Sequence, residues 1–160
     1  MGDIEKQIRE SKAGMTSIVK TIARFAMGII VIFGAYIVLY GHLTPGGGFA
    51  GGVILACGYI ILTLAFGKDL ALRKLSDQGA SIIDNSAALA FLVIGLLGFT
   101  GGYFFLNFLG HGERFALFSA GIIPLCNIAI GLKVTASLFA IFIALSIFGK
   151  FISGLVEDEE

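Results

Sequence analysis

Three long stretches of this chain contain no Asp, Glu, Lys or Arg: residues 25–67, 85–112 and 134–149. Crossing the hydrocarbon core of a bilayer takes ~20 predominantly apolar residues, and each stretch approaches or exceeds that length. The composition agrees, with 57% hydrophobic and 14% charged residues and a mean hydropathy of +0.95. Such a chain reads as a polytopic membrane protein. Within hydrocarbon each backbone N–H and C=O must be satisfied by the protein itself, which leaves helices or a closed barrel. The runs are too long and too uniformly apolar for the alternating strands of a barrel, so the expected fold is all-α.

The boundaries follow from the polar punctuation. Four transmembrane helices are expected, at about 22–41, 49–67, 85–108 and 132–152. Residues 118–152 would otherwise form one helix of roughly 50 Å at ~1.5 Å per residue, longer than a hydrocarbon core of ~30 Å. Gly121, Pro124, Asn127 and Gly131 supply helix breakers, so a short broken or re-entrant helix is expected over about 117–130, before the last span. Residues 1–21 form a cytoplasmic or interfacial segment, 22–152 the transmembrane domain and 153–160 an acidic tail. In residues 4–22 apolar positions recur at helical spacing between Lys and Glu, consistent with a helix in the interface or a solvated helix feeding the first span. No cleaved signal peptide is expected, because residues 1–20 mix acids and bases and lack a short apolar core.

Orientation follows from Lys and Arg. They cluster before the first span, between the second and third (Lys68, Arg73, Lys74) and at Lys150, whereas the two other connections carry only His42, His111, Glu113 and Arg114. An even number of spans with both termini in the cytoplasm satisfies the positive-inside bias and faces the glycine stretch, residues 41–52, outward. The "HGER" stretch reads as an outer loop with a surface ion pair.

The formal net charge is zero, and no basic run is interleaved with aromatics, which removes nucleic-acid binding. Cys57 and Cys126 lie in apolar segments without CxxC or His spacing and read as inert core thiols. No carboxylate pair, Ser/His/Asp set or metal-ligand spacing can be assembled, so no catalytic residue, metal or cofactor is expected.

The stretch "GHLTPGGGFAGG" (41–52) interrupts the first apolar run. Gly46, Gly48 and Gly51 match a bare G-x-G-x-x-G, but a membrane helix precedes them and no acid follows at the distance a dinucleotide site needs. A phosphate-binding P-loop also fails, because Val53 follows Gly52 where Lys is required. The physical reading is a tight outer turn in which Pro45 sets the approach and glycines adopt positive φ. Beyond it, Gly47/Gly51 and Gly48/Gly52 form overlapping small-xxx-small pairs suited to close helix contact.

Taken together, "YGHLTPGGGFAGGVILA" (40–56), "GGYFFLNFLG" (101–110) and "SAGIIPLCNIAIGLKV" (119–134) resemble the B subunit of the multisubunit Mrp-type sodium/proton antiporters. The resemblance spans residues 22–150 and leaves the first twenty outside. It implies a non-catalytic membrane subunit assembled with other membrane subunits in the plasma membrane, where the complex handles sodium ions and protons. Related modules occur in ion-pumping membrane-bound hydrogenases and sulfane-sulfur reductases, and the sequence does not choose between these settings.

Three polar residues are candidates for an ion path. Lys133 lies in an otherwise apolar run, where an ammonium is costly unless it snorkels, pairs or faces water. It therefore belongs either to an ion or proton path or to a structural role, as a snorkelling or subunit-pairing charge. His42, at the outer end of the first span, suits a proton relay or a local hydrogen bond. Asp84, at the inner mouth of the third span, is either a helix N-terminal charge or an ion ligand. Pro124 and Asn127 join the glycine block as packing and turn residues.

Overall fold

In a computed structural model of the chain, residues 15–67, 77–110, 112–113, 115–117 and 119–157 are described. The described residues are all-helical, with no strand. We label the helices α1 (Ser17–Tyr40), α2 (Gly48–Phe66), α3 (Asp77–Leu97) and α4 (Ile123–Glu157); a 3-10 turn, Gly98–Gly101, extends α3. Four segments are long and apolar enough to cross a membrane: Ser17–Tyr40, Gly48–Phe66, Gln78–Gly101 and Ile123–Ser146. This is a multi-pass membrane protein.

α4 is the central helix. It packs against α2 and α3 and, less extensively, α1, while α1 packs mainly against α2. The Met15 N–H donates to Ala65 O at 3.0 Å, which brings the start of α1 to the end of α2. His42 Nε2 lies 3.4 Å from Ala116 O and brings the α1–α2 and α3–α4 connections to one end. The interior is apolar: Phe139 is 1% and Ile143 2% exposed, with Tyr59 and Phe142 against them.

The glycine block makes α2 thin enough to be gripped on two sides. A Cβ at Gly51 would collide with Val38 and Gly34 O of α1, and one at Gly48 or Gly52 with Asn127 O or Gly131 O of α4. The expected Gly48/Gly52 pair thus faces another helix of the same chain. Gly47 differs from the expectation: it is the N-cap of α2, and the positive φ of 152° at Gly46 and 116° at Gly47 makes the turn. Such angles suit glycine because it has no Cβ to clash.

Two boundaries differ from the sequence expectation. The break expected after residue 130 lies before Ile123, where Gly121 has φ +60°. Pro124 sits in the first turn of α4, where a missing N–H costs nothing, and Asn127 and Gly131 continue the helix. The third span begins near Gln78, not at 85, and so takes in Asp84. After Gly101 the chain folds back: Gly102 has φ 106° and Phe105 φ 59°, and the Phe105 N–H donates to Gly95 O at 3.1 Å. Residues 1–14, Lys68, Arg73, Lys74, His111, Arg114 and 158–160 lie outside the described residues, as do the expectations placed on them.

Candidate functional site

α3 and α4 bring together the two charged residues that the sequence offered separately. Lys133 Nζ lies 2.9 Å from Asp84 Oδ1. Ser137, one turn along α4 from Lys133, donates its hydroxyl to the same carboxylate oxygen. The i, i+4 spacing of Lys133 and Ser137 stacks them on one flank of α4, and the neighbouring α3 presents Asp84 to both.

The depth of the pair makes it unusual. Lys133 is roughly 15 Å along α4 from Ile123 at ~1.5 Å per residue, well inside the apolar segment Ile123–Ser146. It is therefore deeper than the position near a helix start that its sequence setting suggested. Asp84 stands two turns into α3 and not in its first turn. A lone charge at such depth is costly, and pairing with an opposite charge offsets part of that cost. The side chains of Lys133 and Asp84 remain 46% and 28% exposed, so the pair sits on the outer surface of the bundle.

His42 is placed apart from this cluster, in the connection between α1 and α2. Its Nε2 makes the long contact to Ala116 O, and its buried Nδ1 has no hydrogen-bond partner among the described residues. The three ion-path candidates thus fall at two locations, with Lys133 and Asp84 at one and His42 at the other.

Partly buried polar contacts elsewhere hold the helices in place. The Gly48 N–H donates to Asn127 Oδ1 at 3.3 Å, satisfying a donor that the start of α2 leaves free. Thr135 Oγ1 lies 3.1 Å from Gly52 O and 2.7 Å from Gly131 O of its own helix. Asn107 Oδ1 accepts the Ile122 N–H at 3.3 Å, while its Nδ2 donates to Gly110 O at 2.8 Å, securing the loop before α4. Sequence reasoning missed Ser137, Thr135 and Asn107. Only Ser137 carried a usable signal, its one-turn spacing from Lys133.

Two cavities among the described residues are lined mostly by apolar side chains. One of about 240 Å³ is lined by Ala35, Val38, Leu39, Leu55, Ile128, Gly131 and Leu132. Another of about 390 Å³ lies between Ser86, Ala87, Ala90 and Ile94 of α3 and Leu125, Ile128, Ala129 and Leu132 of α4. No group of three or more His, Cys, Asp or Glu that could hold a metal occurs among the described residues.

A family model described as a domain related to the MnhB subunit of the Na+/H+ antiporter matches residues 18–152. The chain belongs to the MnhB family. Among its relatives, the uncharacterized protein MJ1307 of Methanocaldococcus jannaschii is 37% identical over 157 residues, covering 91% of this chain and 58% of the relative. A protein of Staphylococcus aureus (strain Newman) whose name assigns it as an antiporter subunit, mnhB2, is 36% identical over 58 residues, covering 36% of this chain and 41% of its own length. Among solved structures, a chain of the membrane-bound sulfane sulfur reductase, an archaeal respiratory membrane complex, aligns with a TM-score of 0.71 and 33% identity, covering 82% of this chain and 58% of that one. This MnhB-family chain therefore spans little more than half the length of MJ1307 and of the reductase-complex chain.

Proposed function

We propose that this chain is a non-catalytic membrane subunit of a multisubunit cation/proton antiport module, which it seals and scaffolds and whose ion pathway it lines with Lys133 and Asp84. The match of residues 18–152 to the MnhB family carries the reading. The charge pair within two apolar spans supports a place near the ions, since intramembrane charges mark ion and proton paths more often than packing. On this reading the cation is sodium, which the Na+/H+ antiporter named in the description of the family supports. Both termini lie in the cytoplasm of a plasma-membrane protein, following the distribution of Lys and Arg. Purification of the complex from its native membrane tests the reading: large antiporter-like subunits should copurify, and the reconstituted complex should exchange sodium for protons. A chain recovered with no membrane partner overturns it.

A second reading is favoured by the alignment to the sulfane sulfur reductase structure. The same module then works inside a redox-driven respiratory complex, a reductase or a membrane-bound hydrogenase, whose electron-transfer centres sit in other subunits. Iron bound to the purified complex selects this setting, and its absence selects the stand-alone antiporter.

A further inference from the structure

A charge pair inside two apolar spans and on the outside of its own bundle is an incomplete structure. Lys133 is roughly 15 Å from the start of α4 at ~1.5 Å per residue, whereas a lysine side chain reaches only about 6 Å, too short to bring the ammonium to the nearer end of the helix. An ammonium has three donors. One is directed at Asp84 Oδ1, and the 46% of the side chain left exposed would otherwise face lipid, where an unsatisfied polar group is costly.

The surface around the pair is patterned in the same sense. On α3, Ser81, Asp84, Asn85 and Ala88 recur at helical spacing on one flank, with Ser81 and Asn85 exposed. On α4, Lys133, Ala140 and Ala144 recur at i, i+7 and i+11 and all are exposed. Polar groups on one helix beside small residues on the next let another helix come close and hydrogen-bond, which is how helices associate where lipid gives no hydrophobic driving force. The interior behind this flank, at Phe139 and Ile143, is apolar and closed.

We infer that the α3–α4 flank carrying Asp84 and Lys133 is a subunit interface, completed by a transmembrane helix of a different subunit that supplies an acceptor oxygen to Lys133. Any ion pathway that uses the pair then runs between this chain and that neighbour, not through this chain's own bundle. The inference rests on the reading of the chain as a subunit of a larger membrane assembly.

Site-specific photocrosslinking in the intact complex tests it. Ala140, on the Lys133 flank, is replaced by p-benzoylphenylalanine in the full-length chain expressed in its native membrane, with the same residue at Ala144 as a second position. Illumination should yield a covalent adduct with another membrane subunit, and the crosslinked peptide should map to a transmembrane segment containing Asp, Glu, Asn or Gln. Adducts only with lipid, or only with a second copy of this chain, from both positions would overturn the inference. Ion flux is measured separately on the unmodified complex. A heterologous adduct in a complex without antiport activity would keep the interface and remove the transport reading, and lipid-only adducts in an active antiporter would do the reverse.

Discussion

The side-chain oxygen of Asn127 accepts the backbone N–H of Gly48 at 3.3 Å, which fastens the first turn of α2 to the first turns of α4. The contact exists because neither Gly48 nor Gly52 carries a side chain. At both positions a Cβ would meet α4 backbone oxygen and the Cβ of a β-branched residue, Ile130 or Val134.

Replacing either glycine should therefore damage this chain's own fold before any contact with a partner is considered. Gly48→Leu and Gly52→Leu are each expected to destabilise by about 1–3 kcal/mol or more, the range for forced overpacking. Gly28→Leu serves as the control, because nothing lies within 4 Å of a Cβ built there. Thermal unfolding of the purified chain in detergent is the measurement. Equal midpoints for Gly28→Leu and Gly52→Leu would show that the α2–α4 approach is not limiting.

The Asp84–Lys133 pair should show coupling. Removing one partner leaves the other charged at membrane depth, so Asp84→Leu and Lys133→Met should each destabilise more than additivity with the double variant allows. A coupling energy of about 0.5–3 kcal/mol is expected for residues in direct contact. A double-mutant cycle on detergent stability measures it, and strict additivity would mean that the pair is not formed in solution.

Transport separates an ion-path lysine from a merely structural one. In the fraction of complex that assembles, Lys133→Met should reduce sodium/proton exchange per complex, since Met keeps most of the length and removes the charge and donors. Lys133→Arg should recover little, because the guanidinium keeps its proton and has a different shape. If Arg instead rescues assembly that Met weakens, Lys133 serves to pair with its acid. Full flux in an assembled Lys133→Met complex removes it from the path.

The isolated chain should catalyse no antiport. Its described residues place one charge pair at depth, on the outer surface and not around an enclosed polar cavity. Proteoliposomes holding this chain alone, with a sodium gradient and a pH-sensitive dye, are expected to behave as empty vesicles. Exchange above that background would assign the transport chemistry to this chain.

The sequence by itself determined the fold class and the approximate spans. Long charge-free runs cannot leave the bilayer, and a backbone in hydrocarbon must bond within its own segment, so these stretches had to become helices wherever the chain placed them. The turn at Gly46 and Gly47 was legible for a similarly local reason, the positive φ that glycine tolerates. What sequence could not show was Asp84 beside Lys133, because nothing local to either residue encodes a pairing across 49 positions. That choice belongs to the antiparallel packing of α3 on α4, which let Asp84 sit two turns inside a span that the sequence expected to begin after it. Tertiary packing likewise decided that the α2 glycines serve contacts within the chain, against α1 and α4. It also sent residues 102–110 back onto α3, where Phe105 takes the Gly95 carbonyl. Each depends on which helix faces touch, and in a membrane that is decided by close approach and polar contacts between helices, with the hydrophobic pattern common to every face.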